Sequence, residues 1–277
     1  MKGQAGVVLV TGASSGIGKA VAGHLVQKGY RVYGTSRGVT PGTAPENPGE
    51  PVMLQMDVTV DHSVQAGIEQ IVQREGRLDI VINNAGFGLA GAVEETSIEE
   101  AKAQFETVLF GTLRVCRAAL PLMRQGGGGY IINISSLAGL IAIPYQGFYS
   151  AAKFALEGMT ESMRMEVNAF GIRVVLIEPG DLKTGFTANR LLAEKAAQED
   201  SPYRDKFTRS LGVMQKDELN GPFPDHLARL VEKIIHTEQP RLRYTFAPFT
   251  QKSALLLKKV LPQKMFEASL MKYYKIK

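Results

Sequence analysis

The stretch Val7–Lys19, VVLVTGASSGIGK, decides the fold. Read with Gly6 as GVVLVTG, its first part is a short apolar run rich in β-branched residues, the composition of a buried strand. The run stops at Gly12. From Ile17 the segment IGKAVAGHLVQKG carries apolar residues at helical spacing until Gly29 ends it. Gly12, Gly16 and Gly18 therefore belong to a turn that leads from a strand into a helix. Small residues there let the backbone approach a pyrophosphate, and the start of the helix offers N–H groups that have no partner inside it. The spacing is G-x-x-x-G-x-G, not G-x-G-x-x-G, so the turn alone also admits the plainer reading of a tight connection.

The same alternation repeats outward. YRVYGTSR (30–37), PVMLQMDV (51–58), LDIVINNAG (78–86), GYIINISS (129–136) and IRVVLIEPG (172–180) read as further strands. Helical patterns begin near Asp61, Ser97 and Phe148, the second with Ser97 and Glu100 as a capping box. Short apolar strands alternating with longer amphipathic helices predict an α/β fold, a doubly wound, Rossmann-type parallel sheet with helices on both faces. The Gly- and Pro-rich loop Gly38–Pro51 reads as a surface connection, and residues 1–277 as a single domain.

Composition narrows the function. With 277 residues and 44% hydrophobic content the chain can bury a sizeable core. One cysteine, Cys116, rules out an internal disulfide, and His24, His62, His226 and His236 are too scattered to read as metal ligands. No apolar run approaches the roughly 18 residues of a membrane span, so a soluble, cytoplasmic protein is expected. The net charge of +5 resides in the tail, where residues 241–277 hold nine Lys or Arg against one acid, Glu267. Such a tail can touch anionic lipid or nucleic acid. It also carries Leu255, Leu256, Leu257, Val260, Leu261, Phe266 and Leu270, so a helical segment over about 247–277, docked on the body with its lysines in water, is the favoured reading. Peripheral membrane contact is the alternative, and no nucleic-acid partner is expected.

In a doubly wound sheet ligands bind beyond the carboxyl ends of the strands. TGASSGIG (11–18), NNAG (83–86), ISS (134–136), YSAAK (149–153) and PGDLKT (179–184) lie at such ends or in the helix that follows. In this order and spacing they resemble the short-chain dehydrogenase/reductase superfamily. KFALEG (153–158) and PRLRYT (240–245) resemble its hydroxysteroid and retinol dehydrogenase branch more specifically. Tyr149 and Lys153 stand one helical turn apart on one face. A phenol of pKa near 10 is a poor base at neutral pH, and a neighbouring ammonium favours its ionised form. The resemblance implies that Tyr149 exchanges a proton with a carbonyl or alcohol oxygen, that Lys153 also holds the nicotinamide ribose, and that Ser136 hydrogen-bonds the substrate oxygen.

The resemblance also implies the cofactor contacts. Gly12, Ser14, Ser15, Gly16, Ile17 and Gly18 would surround the phosphates, with Asn84, Ala85 and Gly86 on the adenosine and ribose side. Asp57 and Val58 would meet the adenine, and Pro179, Gly180, Leu182 and Thr184 the nicotinamide. Asn83 and Asn133 read as ties between strands and loops. The second strand ends in Thr35, Ser36 and Arg37 with no acid, and an arginine fork suits a 2′-phosphate, so NADP(H) is expected over NAD(H).

For the substrate, residues of about 181–221 are expected to form a helical lid, with Phe186, Leu191, Leu192, Tyr203, Phe207, Leu211 and Met214 turned inward. Phe87, Leu89, Leu140, Ile141, Ile143, Tyr145 and Phe148 would make the opposing wall, suited to a lipophilic ketone, aldehyde or alcohol. Arg190 and Lys183 read more easily as solvated helix charges than as substrate anchors. A homodimer or homotetramer is expected through the helix of Tyr149, which carries Phe154, Leu156, Met159, Met163, Met165 and Val167. One position departs from the family pattern. In FETVLFGTLRV (105–115) Val108 occupies the place of an asparagine thought to hold a water that links the lysine to solvent, and a valine side chain can neither donate nor accept. A cofactor-binding sensor with little turnover is therefore the alternative to an oxidoreductase.

Overall fold

The structure, a computed structural model, describes residues 6–39 and 49–277. Most of the Gly38–Pro51 loop lies outside them. Strands β1 (Val7–Thr11), β2 (Arg31–Ser36), β3 (Val52–Gln55), β4 (Ile80–Asn83), β6 (Gly129–Ile134), β7 (Ile172–Pro179) and β9 (Arg243–Phe246) form one seven-stranded sheet. Its order is β3-β2-β1-β4-β6-β7-β9, and every pairing is parallel. Two short strands, β5 (Leu89–Ala90) and β8 (Leu191–Leu192), pair by themselves elsewhere.

Alternation along the strands creates two cores. Val7 and Leu9 of β1, with Val81, Ile131 and Val174, face helices α2 (Asp61–Glu75), α4 (Gly111–Gln125) and α5 (Gly147–Val167). Val8 and Val10, with Ile80, Ile132 and Val175, face α1 (Gly16–Gln27) and α7 (Asp225–Ile235). This explains why the strands read as continuous apolar runs: both faces are covered. The described part of the chain is the doubly wound sheet expected from its sequence.

The long helix that begins after Ser97 opens with the expected capping box and runs as α3 (Ile98–Phe105) into a π-helical turn, Glu106–Phe110, before α4. Val108 sits buried in that turn against Ala152 and Leu156 of α5. The remaining helices, α6 (Arg204–Asn220), α8 (Phe249–Val260) and α9 (Gln263–Tyr273), complete the chain.

Two expectations need correction. The segment 181–221 is α-helical only from Arg204, because its first half is held as β8, irregular turns and a single 3-10 turn, Lys195–Ala197, by backbone pairing with β5, Leu191 N–H to Gly88 O and Ala193 N–H to Ala90 O at 2.8 Å each. PRLRYT supplies a seventh strand. Arg243 at its start donates to Glu157 (2.9 Å) and Glu161 (2.8 Å), one turn apart on α5, and so ties the sheet edge to that helix. On α5 itself Leu156, Met163 and Val167 enter the core, while Phe154 and Met165 stay exposed.

Candidate active site

The order of the sheet reverses between β1 and β4, the place where an open parallel sheet leaves a crevice beyond its strand ends. At the end of β1, Gly12 and Gly16 adopt positive φ, +65° and +55°. Gly18 is small for a different reason: a Cβ there would lie 2.3 Å from the Gly12 carbonyl oxygen and 2.5 Å from Asn84 Nδ2. The first turn of α1 is thereby drawn tight against the loop, leaving its N–H groups directed at the crevice. Asn84 holds this arrangement from β4, its Nδ2 donating to the carbonyls of Thr11 (2.9 Å) and Gly12 (3.1 Å). The Thr11 hydroxyl in turn accepts from the amides of Asn84 and Ala85. Asn83 and Asn133 are ties, as one reading of the sequence had them: Asn83 donates to Asn133 Oδ1 (2.8 Å) and Asn133 to the Thr160 hydroxyl (2.9 Å). Cys116, beside Asn83, is no nucleophile, since burial pushes its thiol up to about 12.

A cavity of about 960 Å³ runs from this turn across the strand ends to the tail. Gly12, Ser14, Ser15, Gly16, Ile17, Ser36, Arg37, Asp57, Val58, Asn84, Ala85 and Gly86 line one part of it. Ser136, Tyr149, Lys153, Pro179, Gly180, Leu182 and Thr184 line the middle. Of the residues predicted for the site, only Gly18 acts from behind the wall. Arg37 is exposed at the end of β2, with no acid on that strand end. Asp57 is occupied locally, its Oδ1 accepting from the Thr59 amide (2.9 Å) and hydroxyl (2.7 Å).

Tyr149 and Lys153 are both buried on the first two turns of α5. Lys153 Nζ donates to the Ile134 carbonyl (2.7 Å) and stands 5.8 Å from the Tyr149 ring centre. Ser136 follows β6, lines the cavity together with Tyr149, and accepts from the Ala138 amide (3.1 Å). Burial dominates the electrostatics of both groups. Burial pushes Tyr149 up to about 12; Ser136 opposes the rise, and Glu218 and Asp181 reinforce it. Burial also drives the Lys153 ammonium down to about 8, with Glu157 pulling the other way, so that it still carries its proton for the most part at neutral pH. In the chain alone, desolvation is the largest influence on both groups.

The substrate side holds the residues that sequence reasoning misplaced. Arg190 is buried, not solvated: it pairs with Glu218 and lies over the Phe186 ring, itself 5.8 Å from the Tyr149 ring. Thr187 also donates to Glu218 (2.5 Å). Asp181, Asp217 and Glu218 were not anticipated, and burial raises Asp181 to about 7, with Glu218 and Asp217 adding to the rise. Phe186, Leu191 and Met214 of the expected lid reach the cavity, as do Phe87, Ile141 and Ile143 of the opposing wall. Phe207 instead packs with Ala90 and Ala193 beneath the lid, and Tyr145, at φ +61°, turns onto Phe207 and Tyr203. The tail closes the end of the cavity. Gln251 of α8 donates to Asp181 Oδ2 (2.5 Å) and accepts from the Asp181 amide (3.1 Å), while Tyr273 of α9 donates to Asp217 (2.6 Å). Leu257, Phe266 and Leu270 add apolar surface. Among the described residues no group of His, Cys, Asp and Glu could hold a metal, and no helix is long and apolar enough to cross a membrane.

A crevice at the reversal of the sheet, with Ser136 half-buried and Tyr149 and Lys153 buried beside it, is the layout of a Rossmann-type oxidoreductase. Residues 6–195 match the family described as short chain dehydrogenase, and the chain belongs to that family. It is 44% identical over 271 residues to a 3-ketodihydrosphingosine reductase of Bacteroides thetaiotaomicron, covering 98% of both chains. It is 34% identical over 252 residues to retinol dehydrogenase 8 of Bos taurus, covering 85% of this chain and 80% of the other. Among solved structures, a short-chain dehydrogenase from Streptomyces avermitilis superposes with a TM-score of 0.81 at 31% identity, over 99% and 98% of the two chains. An alcohol dehydrogenase from Thermococcus sibiricus, complexed with 5-hydroxy-NADP, gives 0.71 at 25% identity over 89% and 97%.

Proposed function

We propose that the chain is an NADP(H)-dependent oxidoreductase that interconverts a long-chain, lipophilic ketone or aldehyde with its alcohol. The observation that carries this reading is one continuous cavity, with a glycine turn and Arg37 at one end, Ser136, Tyr149 and Lys153 in the middle, and apolar side chains of lid and tail at the other. The residues present fit a dinucleotide: the Gly12–Gly18 cradle has no room for a Cβ at Gly18, and Arg37 faces the cavity free of a neighbouring acid on its strand. When bound, the nicotinamide supplies or accepts the hydride.

The chain's own residues manage the proton and the position of the substrate. Tyr149, protonated at neutral pH as any phenol is and held so more firmly by its burial, is suited to donate to a carbonyl oxygen, and Ser136 to hold that oxygen beside it. Lys153, anchored on Ile134, would hold the nicotinamide ribose and present its charge to the phenol. Arg37 and Ser36 would hold a 2′-phosphate, Asp57 and Val58 the adenine. The named substrate of the Bacteroides relative, 3-ketodihydrosphingosine, belongs to the lipophilic class that this cavity suits and heads the compounds to test. A homodimer or homotetramer through α5, where Phe154 and Met165 are exposed, is part of the reading.

The test is NADPH oxidation across lipophilic ketones and aldehydes, repeated with Tyr149→Phe. The reading expects turnover that falls by roughly 10²–10⁴-fold in the variant with NADPH affinity unchanged. Tight NADPH binding without turnover on any compound would favour a sensor instead, the reading to which Val108 and the raised Tyr149 pKa lend support.

A further inference from the structure

We propose that α8 is an interfacial helix that seats the protein on an anionic lipid bilayer, next to the substrate cavity. None of its residues is buried. Phe249, Leu256 and Val260 are 84, 62 and 64% exposed. Their spacing of seven and four residues sets them within about 40° of one another at ~100° per residue, a continuous apolar stripe along the helix. Lys252 and Lys259 lie roughly 60–80° to one side of that stripe. Ala254 and Leu257, on the opposite flank, line the cavity. Lys258 is turned back to the body, donating to the Leu140 carbonyl, and takes no part in the exposed face.

Single exposed apolar residues are ordinary on a protein surface. Here three of them align, lysines flank them, and the surrounding segment 241–277 holds nine basic residues against one acid. That is the chemistry of a helix lying in the boundary between headgroups and acyl chains, its apolar stripe inserted and its lysines on anionic lipid. A second copy fits the face less well. α8 carries no acid, so pairing the stripe about a twofold axis would bring Lys252 and Lys259 of both copies together with nothing to neutralise them. Bilayer contact also gives the position of the helix a purpose, since a substrate dissolved in lipid would meet the protein at the flank where the cavity lies.

The test is co-sedimentation of the full chain with vesicles, which reads contact independently of turnover. Vesicles of phosphatidylglycerol mixed with phosphatidylcholine should carry the protein down at low salt. Phosphatidylcholine alone, or ~1 M salt, should weaken binding at least about tenfold. Leu256→Asp/Val260→Asp and Lys252→Ala/Lys259→Ala should each lose about tenfold or more on the anionic vesicles. Neither pair touches the cavity, so NADPH binding should be unchanged in both. No binding of the wild type to anionic vesicles, or equal binding by both variants, would overturn the proposal. So would a dimer in light scattering that Leu256→Asp/Val260→Asp dissolves, which would assign the face to a second copy. If the aspartates prevent folding, the lysine pair still decides, because its side chains are fully at the surface.

Discussion

The two walls of the cavity are built by different means. On the cofactor side the wall is main chain at strand ends, held by contacts such as Asn84 to Gly12 and by the absence of a side chain at Gly18. On the substrate side it is made of side chains from three separate segments, the irregular run after β7, α6, and the tail helices, latched to one another through Gln251–Asp181 and Tyr273–Asp217. The first wall tolerates little substitution, because its fit is set by main-chain contacts across the strand ends. The second can change its shape by exchanging side chains, which suits a surface that selects among substrates while the reaction stays the same.

The sharpest way to probe the contrast is Arg37→Asp on the cofactor side. Losing a charge-assisted contact and adding repulsion should raise the KM for NADPH relative to that for NADH by roughly 10²-fold, with substrate KM unaffected. Equal changes for both cofactors would remove the NADP(H) assignment. On the opposite wall, Leu257→Ala/Leu270→Ala should lower kcat/KM for a long-chain ketone by about tenfold or more and leave NADPH affinity unaltered. A shift in NADPH affinity of the same size would mean that the walls are not separable.

Smaller is the effect of pH through Asp181. Its folded pKa, near 7, lies above the unfolded value of 3.8, so the native state binds more protons between those limits and loses stability as pH rises through them. Asp181→Asn should flatten that loss, seen as a smaller fall in melting temperature between pH 4 and 8; parallel curves would show that the carboxyl is not held neutral. The smallest change is expected from Val108→Asn. Val108 Cγ2 would touch a Cβ at Gly86, and its carbonyl already accepts from the Thr112 hydroxyl (2.9 Å), so the backbone there offers one further lone pair. We expect a rise in kcat of less than about tenfold at constant NADPH affinity. An unchanged or lower kcat would show that the proton reaches the site by another route.

The same division governs what could be read from sequence. β1 with its glycine turn, the capping box at Ser97 and the Tyr149–Lys153 pair are each confined to a few neighbouring residues, where periodicity and turn chemistry speak directly. Arg190 misled because its partner is 28 residues away and its burial depends on how α6 packs. Asp181 and Gln251 are 70 residues apart, and no local pattern announces that pair. The first half of the lid failed as a helix because β5, a hundred residues earlier by about that measure of chain, offered it backbone partners. Arg243 was legible as a family mark but not as a clamp, since Glu157 and Glu161 look like any solvated helix face until the sheet edge is laid against them.

The small β5–β8 pair has a consequence for traffic through the cavity. It fastens the first half of the covering segment by main-chain hydrogen bonds, with Ala90 and Ala193 completely enclosed. The latches on the tail side are single side chains, one of them Tyr273 at the surface. Exit is easiest where the fewest and wettest bonds must part. The cavity is therefore held firmly at its rear and lightly past α8 and α9, and opening is expected first on the side where the chain carries its lysines.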